Sequence, residues 1–224
     1  MSADSNSDRA PSSDDAQRSA RSQSARFFVL DGVDGCGKST QAERLVARLE
    51  RETDQSALRL REPGGTSVGE SLRELLLSRD HDISAHVEAL LFCASRAQML
   101  REKVEPALGS GHHVVTDRFN SSTFAYQGVA GELDEDAVLE LLSSWAGRPR
   151  PDLVILLDLD VDVAASRRGD AQDRIEDKGL EFQRRVADGY RRFAERVPGV
   201  VTFDADASED DVAERVWQEV LRVL

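Results

Sequence analysis

Five short apolar runs recur along the chain, and stretches with helical spacing separate them. The runs are Phe27–Asp31, Ala57–Leu60, His113–Asp117, Leu153–Asp158 and Val200–Phe203. They are mostly continuous rather than alternating, which is typical of strands that are buried on both faces. Strands that alternate with helices predict an α/β fold of three layers, in which a five-stranded parallel sheet carries helices on both faces.

Three stretches carry apolar residues three and four positions apart. Such spacing predicts amphipathic helices, each with one apolar stripe that faces the core. The stripes are Ala42, Leu45, Val46 and Leu49; Val87, Leu90, Leu91 and Ala94 within residues 86–108; and Val212, Val216, Val220 and Val223.

The first 25 residues contain almost nothing that could be buried, so a disordered tail is expected at 1–25 and a single domain at 26–224. No run approaches the roughly 20 apolar residues of a membrane-spanning helix, and the first residues lack the apolar centre of a secretory signal. Cys36 and Cys93 cannot form a disulfide framework. These features predict a cytoplasmic protein without a membrane partner.

Net charge adds a further constraint. The chain carries 29 basic and 42 acidic residues, which gives a formal charge of −13. Because an acidic surface repels a phosphate backbone, a nucleic-acid partner is not expected. An anionic ligand would therefore need a local basic pocket within a negative field.

One motif supplies such a pocket directly after the first predicted strand. Residues 32–39 fit G-x-x-x-x-G-K-[ST], whose glycines let successive N–H groups converge on phosphate at the start of a helix. Lys38 would reach the outer phosphates, and the Ser39 hydroxyl would ligate Mg²⁺. The alternative is a chance match in a glycine-bearing turn. The residues predicted to bind ATP are Gly32, Val33, Asp34, Gly35, Cys36, Gly37, Lys38, Ser39 and Thr40.

The chain lacks the N-K-x-D signature with which a GTPase reads guanine, and no strand ends in Asp-Glu as in a switch ATPase. Further residues are suited to bind a second anion and a flat base.

Phe92 and Arg96 lie four residues apart and off the predicted apolar stripe, so the ring of one and the guanidinium of the other are expected on the same side of the helix. Taken alone, the pair is better explained as a core phenylalanine and a surface arginine.

Two later segments extend this pattern. Asp117 ends a predicted strand and could hold the Mg²⁺ shell, while Arg118 could clamp a phosphate. An ordinary strand-to-helix loop is the alternative interpretation. Residues 167–178 contain Arg167, Arg168 and Arg174, which is what a closing lid needs, although a solvated linker would have a similar composition.

Six motifs together resemble the thymidylate kinases, a family of P-loop nucleoside monophosphate kinases. The resemblance runs from about Phe27 to the C-terminus. Besides the phosphate loop, the motifs are Arg-Glu-Pro-Gly-Gly-Thr at 61–66, Leu-Phe-x-Ala-x-Arg at 91–96, Asp-Arg-Phe-x-x-Ser-x-x-Ala-Tyr-Gln-Gly at 117–128, Arg-Pro-Asp-Leu at 150–153 and Asp-Arg-Ile-Glu at 173–176.

The resemblance implies phosphorylation of dTMP to dTDP by a homodimer that uses ATP and Mg²⁺. It assigns Phe92 to stacking on thymine, Arg96 to the base O4, and Asp34 to the sugar 3′-hydroxyl and the phosphate–magnesium environment. The remaining acceptor residues are implied to be Arg61 and Arg118 on the phosphate, and Ser122 and Gln127 around the base. The implied catalytic residues are Lys38, Arg118, Arg168, Arg174 and Asp34, and the implied metal ligands are Ser39 and Asp117.

Gly35 together with a basic lid resembles the branch of the family that is common in bacteria. The chain departs from the family pattern at Cys93 and Phe119, where relatives often have tyrosine. These departures leave open a kinase for another monophosphate such as dUMP, because selection of one methyl group is worth only about 1–3 kcal/mol. A nucleotide-dependent switch is a further alternative, against which the acceptor-side arginines weigh.

Overall fold

The computed structural model describes residues 25–144, 148–167 and 174–224. Its centre is one parallel sheet with the strand order β2-β3-β1-β4-β5. The strands are β1 (Phe27–Gly32), β2 (Ala57–Arg61), β3 (His113–Asp117), β4 (Leu153–Asp158) and β5 (Val200–Asp204). The predicted five-stranded parallel sheet is confirmed, and each observed strand contains its predicted run.

Helices surround this sheet and follow its strands in alternation. They are α1 (Lys38–Glu52), α2 (Ser67–Leu77), α3 (Ala85–Met99), α4 (Glu105–Gly109), α5 (Asn120–Thr123), α6 (Glu135–Ser143), α7 (Val161–Arg167), α8 (Gly179–Arg196) and α9 (Glu209–Leu221). A π-helical turn at Leu100–Val104 joins α3 to α4, and a second one at Phe124–Val129 continues α5. A short 3₁₀ turn, Glu176–Lys178, precedes α8.

The central strand β1 shows why its run is continuous rather than alternating. Phe28 and Leu30 pack in one apolar cluster, while Phe27 and Val29 pack in a second cluster on the opposite face of the sheet. All four side chains are fully buried. Both faces of the sheet are therefore covered, as a parallel sheet requires.

The predicted stripes of α1 and α9 are buried or half-buried, but the predicted stripe of α3 is wrong. Val87 is 46% exposed and Leu90 is 57% exposed. The same helix instead buries two charged side chains, Glu88 and Arg96, each 1% exposed. Distant residues of opposite charge pair with both side chains, so the buried face of α3 mixes these charges with apolar residues such as Ala89, Cys93 and Met99, and apolar spacing alone cannot indicate it.

Two predictions fall partly outside the described residues. Of the predicted tail, only residue 25 is described, and Arg168 of the predicted lid is not. The single domain at 26–224 and the lid at 167–178 stay predictions. Within the three described ranges, none of the helices combines the length and the apolarity that crossing a membrane requires.

Candidate active site

The loop between β1 and α1 has the backbone shape that its glycines predict. Gly35 and Gly37 adopt positive φ angles of 92° and 93°, a conformation that glycine reaches without strain. A side chain at Gly32 would place its Cβ 2.5 Å from the Leu157 carbonyl oxygen, so only glycine fits there. No side chain caps the start of α1 at Gly37, which leaves its first N–H groups available to an anion.

Lys38 is buried within this loop and points back across it. Its Nζ donates to the Val33 carbonyl oxygen at 3.3 Å and to Asp34 Oδ1 at 3.0 Å. Cys36 is also buried, and burial raises the pKa of its thiol, so a thiolate nucleophile is disfavoured at neutral pH. The loop thus offers one cation and several backbone donors.

Asp34 connects this loop to the segment after β3. Besides Lys38, it accepts hydrogen bonds from the Arg118 guanidinium and, at 2.9 Å, from the Tyr126 hydroxyl. Burial alone would raise the pKa of Asp34, but the charges of Arg118 and Lys38 outweigh burial and hold it well below its usual range. The carboxylate is therefore ionised and keeps two cations in place.

Ser39 and Asp117 form a pair of oxygen ligands that fits Mg²⁺. The Ser39 hydroxyl donates to Asp117 Oδ2, while Asp117 Oδ1 is buried and has no hydrogen-bond partner among the described residues. No cluster of three or more His, Cys, Asp or Glu side chains suited to a metal occurs in those residues. Mg²⁺ commonly takes one or two protein carboxylates and completes its shell with phosphate and water, which matches this donor set.

One cavity of about 230 Å³ lies at the carboxyl ends of the strands and joins these groups. Ten of the predicted site residues line it: Asp34, Lys38, Ser39, Arg61, Phe92, Arg96, Asp117, Arg118, Ser122 and Gln127. Sequence reasoning did not assign the other lining residues, which are Glu62, Pro63, Arg73, Leu77, Thr123, Tyr126 and Ile175. Separate motifs of the sequence thus meet in one place, as expected for an open parallel sheet.

Arg96 is held at the cavity wall by a buried ion pair with Glu62. The Arg96 Nε lies 3.0 and 2.8 Å from the two Glu62 carboxylate oxygens. Its Nη2 also donates to the Phe119 carbonyl oxygen at 3.1 Å and to Thr123 Oγ1 at 3.0 Å. Burial raises the pKa of Glu62 to about 7 although Arg96 opposes this shift. The alternative of a surface arginine is wrong, because Arg96 is 1% exposed.

Arg118 follows β3 with a positive φ of 73°, which is uncommon for a residue other than glycine. Its Nη1 donates to Ser122 Oγ at 3.0 Å, and its Nη2 pairs with Asp34. These partners aim the guanidinium into the cavity, next to the phosphate loop. A planar bidentate donor in this place can bind a phosphate.

Asp31, which sequence reasoning missed, is a buried acid that holds the segments around the cavity together. The side chain is fully buried at the end of β1. Its two oxygens accept hydrogen bonds from the end of β1 itself, from the segment after β3 and from α8. The donors are Gly32 N, Phe119 N, Ser122 N, Ser121 Oγ, Ser122 Oγ and Tyr190 Oη. An acid that ends an otherwise apolar run was the available signal, because a buried carboxylate requires such donors.

The remaining predicted residues occupy different positions. Arg61 lies at the rim, with its side chain 60% exposed and 4.0 Å from Glu70. Gln127 is buried and donates to Glu88 Oε2 at 2.9 Å. Arg174 does not line the cavity; it donates to the Leu76 carbonyl oxygen at 2.9 Å and to Glu88 Oε1 at 2.7 Å. Its predicted contact with phosphate stays a prediction.

Comparisons with known proteins agree with this geometry. The family model described as thymidylate kinase matches residues 30–216. A thymidylate kinase from Synechococcus is 42% identical over 195 residues, which covers 87% of this chain and 93% of the relative. Thymidylate kinases from Rhodopseudomonas palustris and Solidesulfovibrio magneticus are each 40% identical, over 91% and 88% of this chain and over 92% and 100% of the relatives. This chain therefore belongs to the thymidylate kinase family.

Proposed function

We propose that this protein transfers the γ-phosphoryl group of ATP to dTMP and releases ADP and dTDP. The observation that carries the proposal is the single cavity in which the phosphate loop meets Phe92, Arg96 and Arg118. The names of the relatives point to the same reaction. A site for one nucleotide would need only the cation of the phosphate loop, Lys38, whereas this cavity is also lined by Arg96 and Arg118.

The donor triphosphate would bind along the N–H groups of the loop and the first turn of α1, with Lys38 on its outer phosphates. Arg118 lies beside Asp34 at the end of this loop, where it can hold the acceptor phosphate in line with the donor. Ser39 and Asp117 would hold Mg²⁺, which when bound neutralises charge on the phosphate oxygens. No covalent intermediate is needed, since phosphoryl transfer depends on alignment and on charge neutralisation.

The acceptor base would lie against Phe92, with Arg96 directed at a carbonyl oxygen of the ring. The ring of Phe92 and the guanidinium of Arg96 both line the cavity, as their spacing on α3 requires. Because Glu62 fixes the Arg96 guanidinium, this donor is preorganised before substrate binds. Ser122 and Gln127 also line this cavity.

A coupled assay that detects ADP tests this function directly. The purified chain is incubated with ATP and Mg²⁺, with and without dTMP, and then with dUMP and dCMP in place of dTMP. We expect ADP to form rapidly only when dTMP is present. Rapid formation of ADP without an acceptor would indicate a nucleotide-dependent switch, and faster turnover of another monophosphate would reassign the acceptor.

We further propose that two copies of this chain associate through α2 and α3. Val68 and Leu75 on α2 and Val87 and Leu90 on α3 are large apolar side chains that are between 36% and 57% exposed. A second copy that covers them would remove apolar area from water. Sedimentation of the wild-type chain should therefore give a dimer, and Leu90→Glu should shift it to the monomer. A monomeric wild-type chain would contradict this proposal.

The cytoplasm is the proposed compartment. Both cysteines are buried and free, as is usual for proteins in a reducing environment. Detection of a tagged chain in the soluble fraction of fractionated cells would test this assignment.

A further inference from the structure

Glu88 lies in the first turn of α3, and neither its chemistry nor its position is explained by the proposed contacts with substrate. Its carboxylate is 1% exposed, yet it receives donors from two separate parts of the chain. Oε2 accepts from Gln127 Nε2 at 2.9 Å. Oε1 accepts from Arg174 Nη1 at 2.7 Å and from Lys178 Nζ at 3.2 Å.

These partners decide the charge of Glu88. Burial alone would raise its pKa, but the hydrogen bonds from Gln127 and Arg174 and the charge of Lys178 outweigh burial and lower it. Glu88 is therefore ionised at neutral pH. An ionised carboxylate accepts hydrogen bonds and donates none.

The ionised Glu88 permits only one orientation of the Gln127 amide. An acceptor can be met only by the NH₂ end of the amide, which leaves the Gln127 carbonyl oxygen as the end that Glu88 does not use. Gln127 is buried and lines the cavity together with Phe92 and Arg96. A carbonyl oxygen at this wall suits a ring N–H, which thymine and uracil carry at N3 and cytosine lacks.

We propose that Glu88 is a positioning residue that orients the Gln127 amide for a pyrimidine bearing an N3–H, while Arg174 and Lys178 keep its carboxylate charged. This inference rests on the proposed acceptor role of the cavity. It assigns to Glu88 part of the selection between thymine and cytosine, although its carboxylate binds Gln127 and not the base.

The test replaces the carboxylate by an amide of the same shape, in the full chain. In Glu88→Gln, the new carbonyl oxygen can still accept from Arg174, but the new NH₂ group faces Gln127 and makes the Gln127 amide turn over. We expect the KM for dTMP to rise about tenfold or more, which corresponds to leaving the buried ring N–H without its acceptor, while kcat changes little. We also expect the ratio of kcat/KM for dTMP to that for dCMP to fall by a similar factor.

A matched control and a double-mutant cycle separate positioning from a purely structural role. Glu102 is exposed and lies in the π-helical turn that continues α3. The control Glu102→Gln should therefore leave the KM for dTMP and the dTMP/dCMP ratio of kcat/KM unchanged. In the cycle, adding Glu88→Gln to Gln127→Ala should have little further effect on the KM for dTMP, because Glu88 acts through that amide. Full additivity of the two substitutions would overturn the inference.

Turnover of dTMP by the wild-type chain is measured first. An inert wild-type chain would overturn the proposed function together with this inference. An active wild-type chain whose Glu88→Gln variant keeps its KM and its dTMP/dCMP ratio would overturn the inference alone, even if the variant melted at a lower temperature. If Glu88→Gln does not fold, Glu88→Asp withdraws the carboxylate from Gln127 and should give the same rise in KM; an unchanged KM would again overturn the inference.

Discussion

The proposed donor side and the proposed acceptor side of the cavity are built in different ways. The donor side is one contiguous loop, residues 32–39, whose binding groups are mostly backbone N–H groups. The proposed acceptor side binds through side chains, three of which are each held by an acid from a distant part of the chain: Arg96 by Glu62, Arg118 by Asp34 and Gln127 by Glu88.

The difference has an energetic origin. A loop that binds through its backbone needs only glycines that allow the required φ angles. Buried charged side chains lose their hydration, so each must be paired with good geometry, and loss of one partner leaves an uncompensated charge. The acceptor side should therefore respond more strongly to single substitutions in its supporting residues, and the following experiments examine that contrast.

The largest expected effect is on the acceptor side. Glu62→Ala leaves Arg96 buried without its partner, and loss of one member of a buried pair costs about 3–5 kcal/mol. Urea unfolding should report a drop of that size in the free energy of unfolding. The control Glu74→Ala, at an exposed position of α2, should change it by less than about 0.5 kcal/mol. A small effect of Glu62→Ala would show that the acceptor side is not held as described.

Lys38→Ala is the corresponding substitution on the donor side. We expect kcat to fall roughly 10²–10³-fold, because a buried cation that faces the transferring group is lost, while the fold persists. Lys103→Ala removes an exposed lysine and should leave kcat unchanged. Near-normal activity of Lys38→Ala would remove the phosphate-loop assignment.

Titration should also distinguish two of the supporting acids, Glu62, which holds Arg96, and Asp34, which holds Arg118. Burial raises the pKa of Glu62 from 4.5 to about 7, so the native state binds an extra proton between these values and its stability falls as the pH rises through them. This contribution should disappear in Glu62→Gln, whose side chain does not titrate.

The pKa of Asp34 is lowered, so its contribution is fully present above its ordinary pKa of 3.8 and is lost only as the pH falls below that value. Urea unfolding of the wild type, Glu62→Gln and Asp34→Asn between pH 2 and pH 8 measures the contribution of Glu62 and the onset of the loss of the Asp34 contribution. Parallel pH profiles for the two variants would contradict the assignment.

The smallest expected effect concerns the base. Phe92→Ala should raise the KM for dTMP by the factor that corresponds to the loss of one stacking contact, which is worth about 1–3 kcal/mol of binding free energy. The KM for ATP should change little. Steady-state kinetics with each substrate varied in turn would measure both constants. An effect confined to ATP would move this ring to the donor side.

Local patterns predicted the sheet and the phosphate loop because their causes are local. A continuous apolar run specifies a strand such as β1, and three glycines with Lys38 specify the loop. The supporting acids could not be predicted in this way, because Glu62 lies 34 residues from Arg96 and Glu88 lies 39 residues from Gln127. The same cause explains the wrong stripe of α3, where ion pairs with distant residues bury Glu88 and Arg96.

Arg174 illustrates a further limit of sequence reasoning. Its place in a basic segment predicted a lid arginine, and its catalytic role stays a prediction; sequence did not indicate that its guanidinium binds Glu88 and the Leu76 carbonyl oxygen. The composition of the segment shows that it contains arginines, but the acceptors that an arginine such as Arg174 contacts depend on the fold. Three of the arginines that line the cavity, Arg61, Arg96 and Arg118, lie in specific motifs that named them in advance, whereas Arg73 lies outside those motifs and was missed.

The donors around Asp31 have a consequence for the order in which the protein matures. They come from the end of β1, from the segment after β3 and from Tyr190 in α8, so the last of them is synthesised when most of the chain already exists. A nascent chain still on the ribosome before α8 emerges carries the whole phosphate-loop sequence, yet Asp31 lacks one of its partners. The hydrogen-bond network around Asp31 is therefore completed late in synthesis, and it stays incomplete in any fragment that ends before α8.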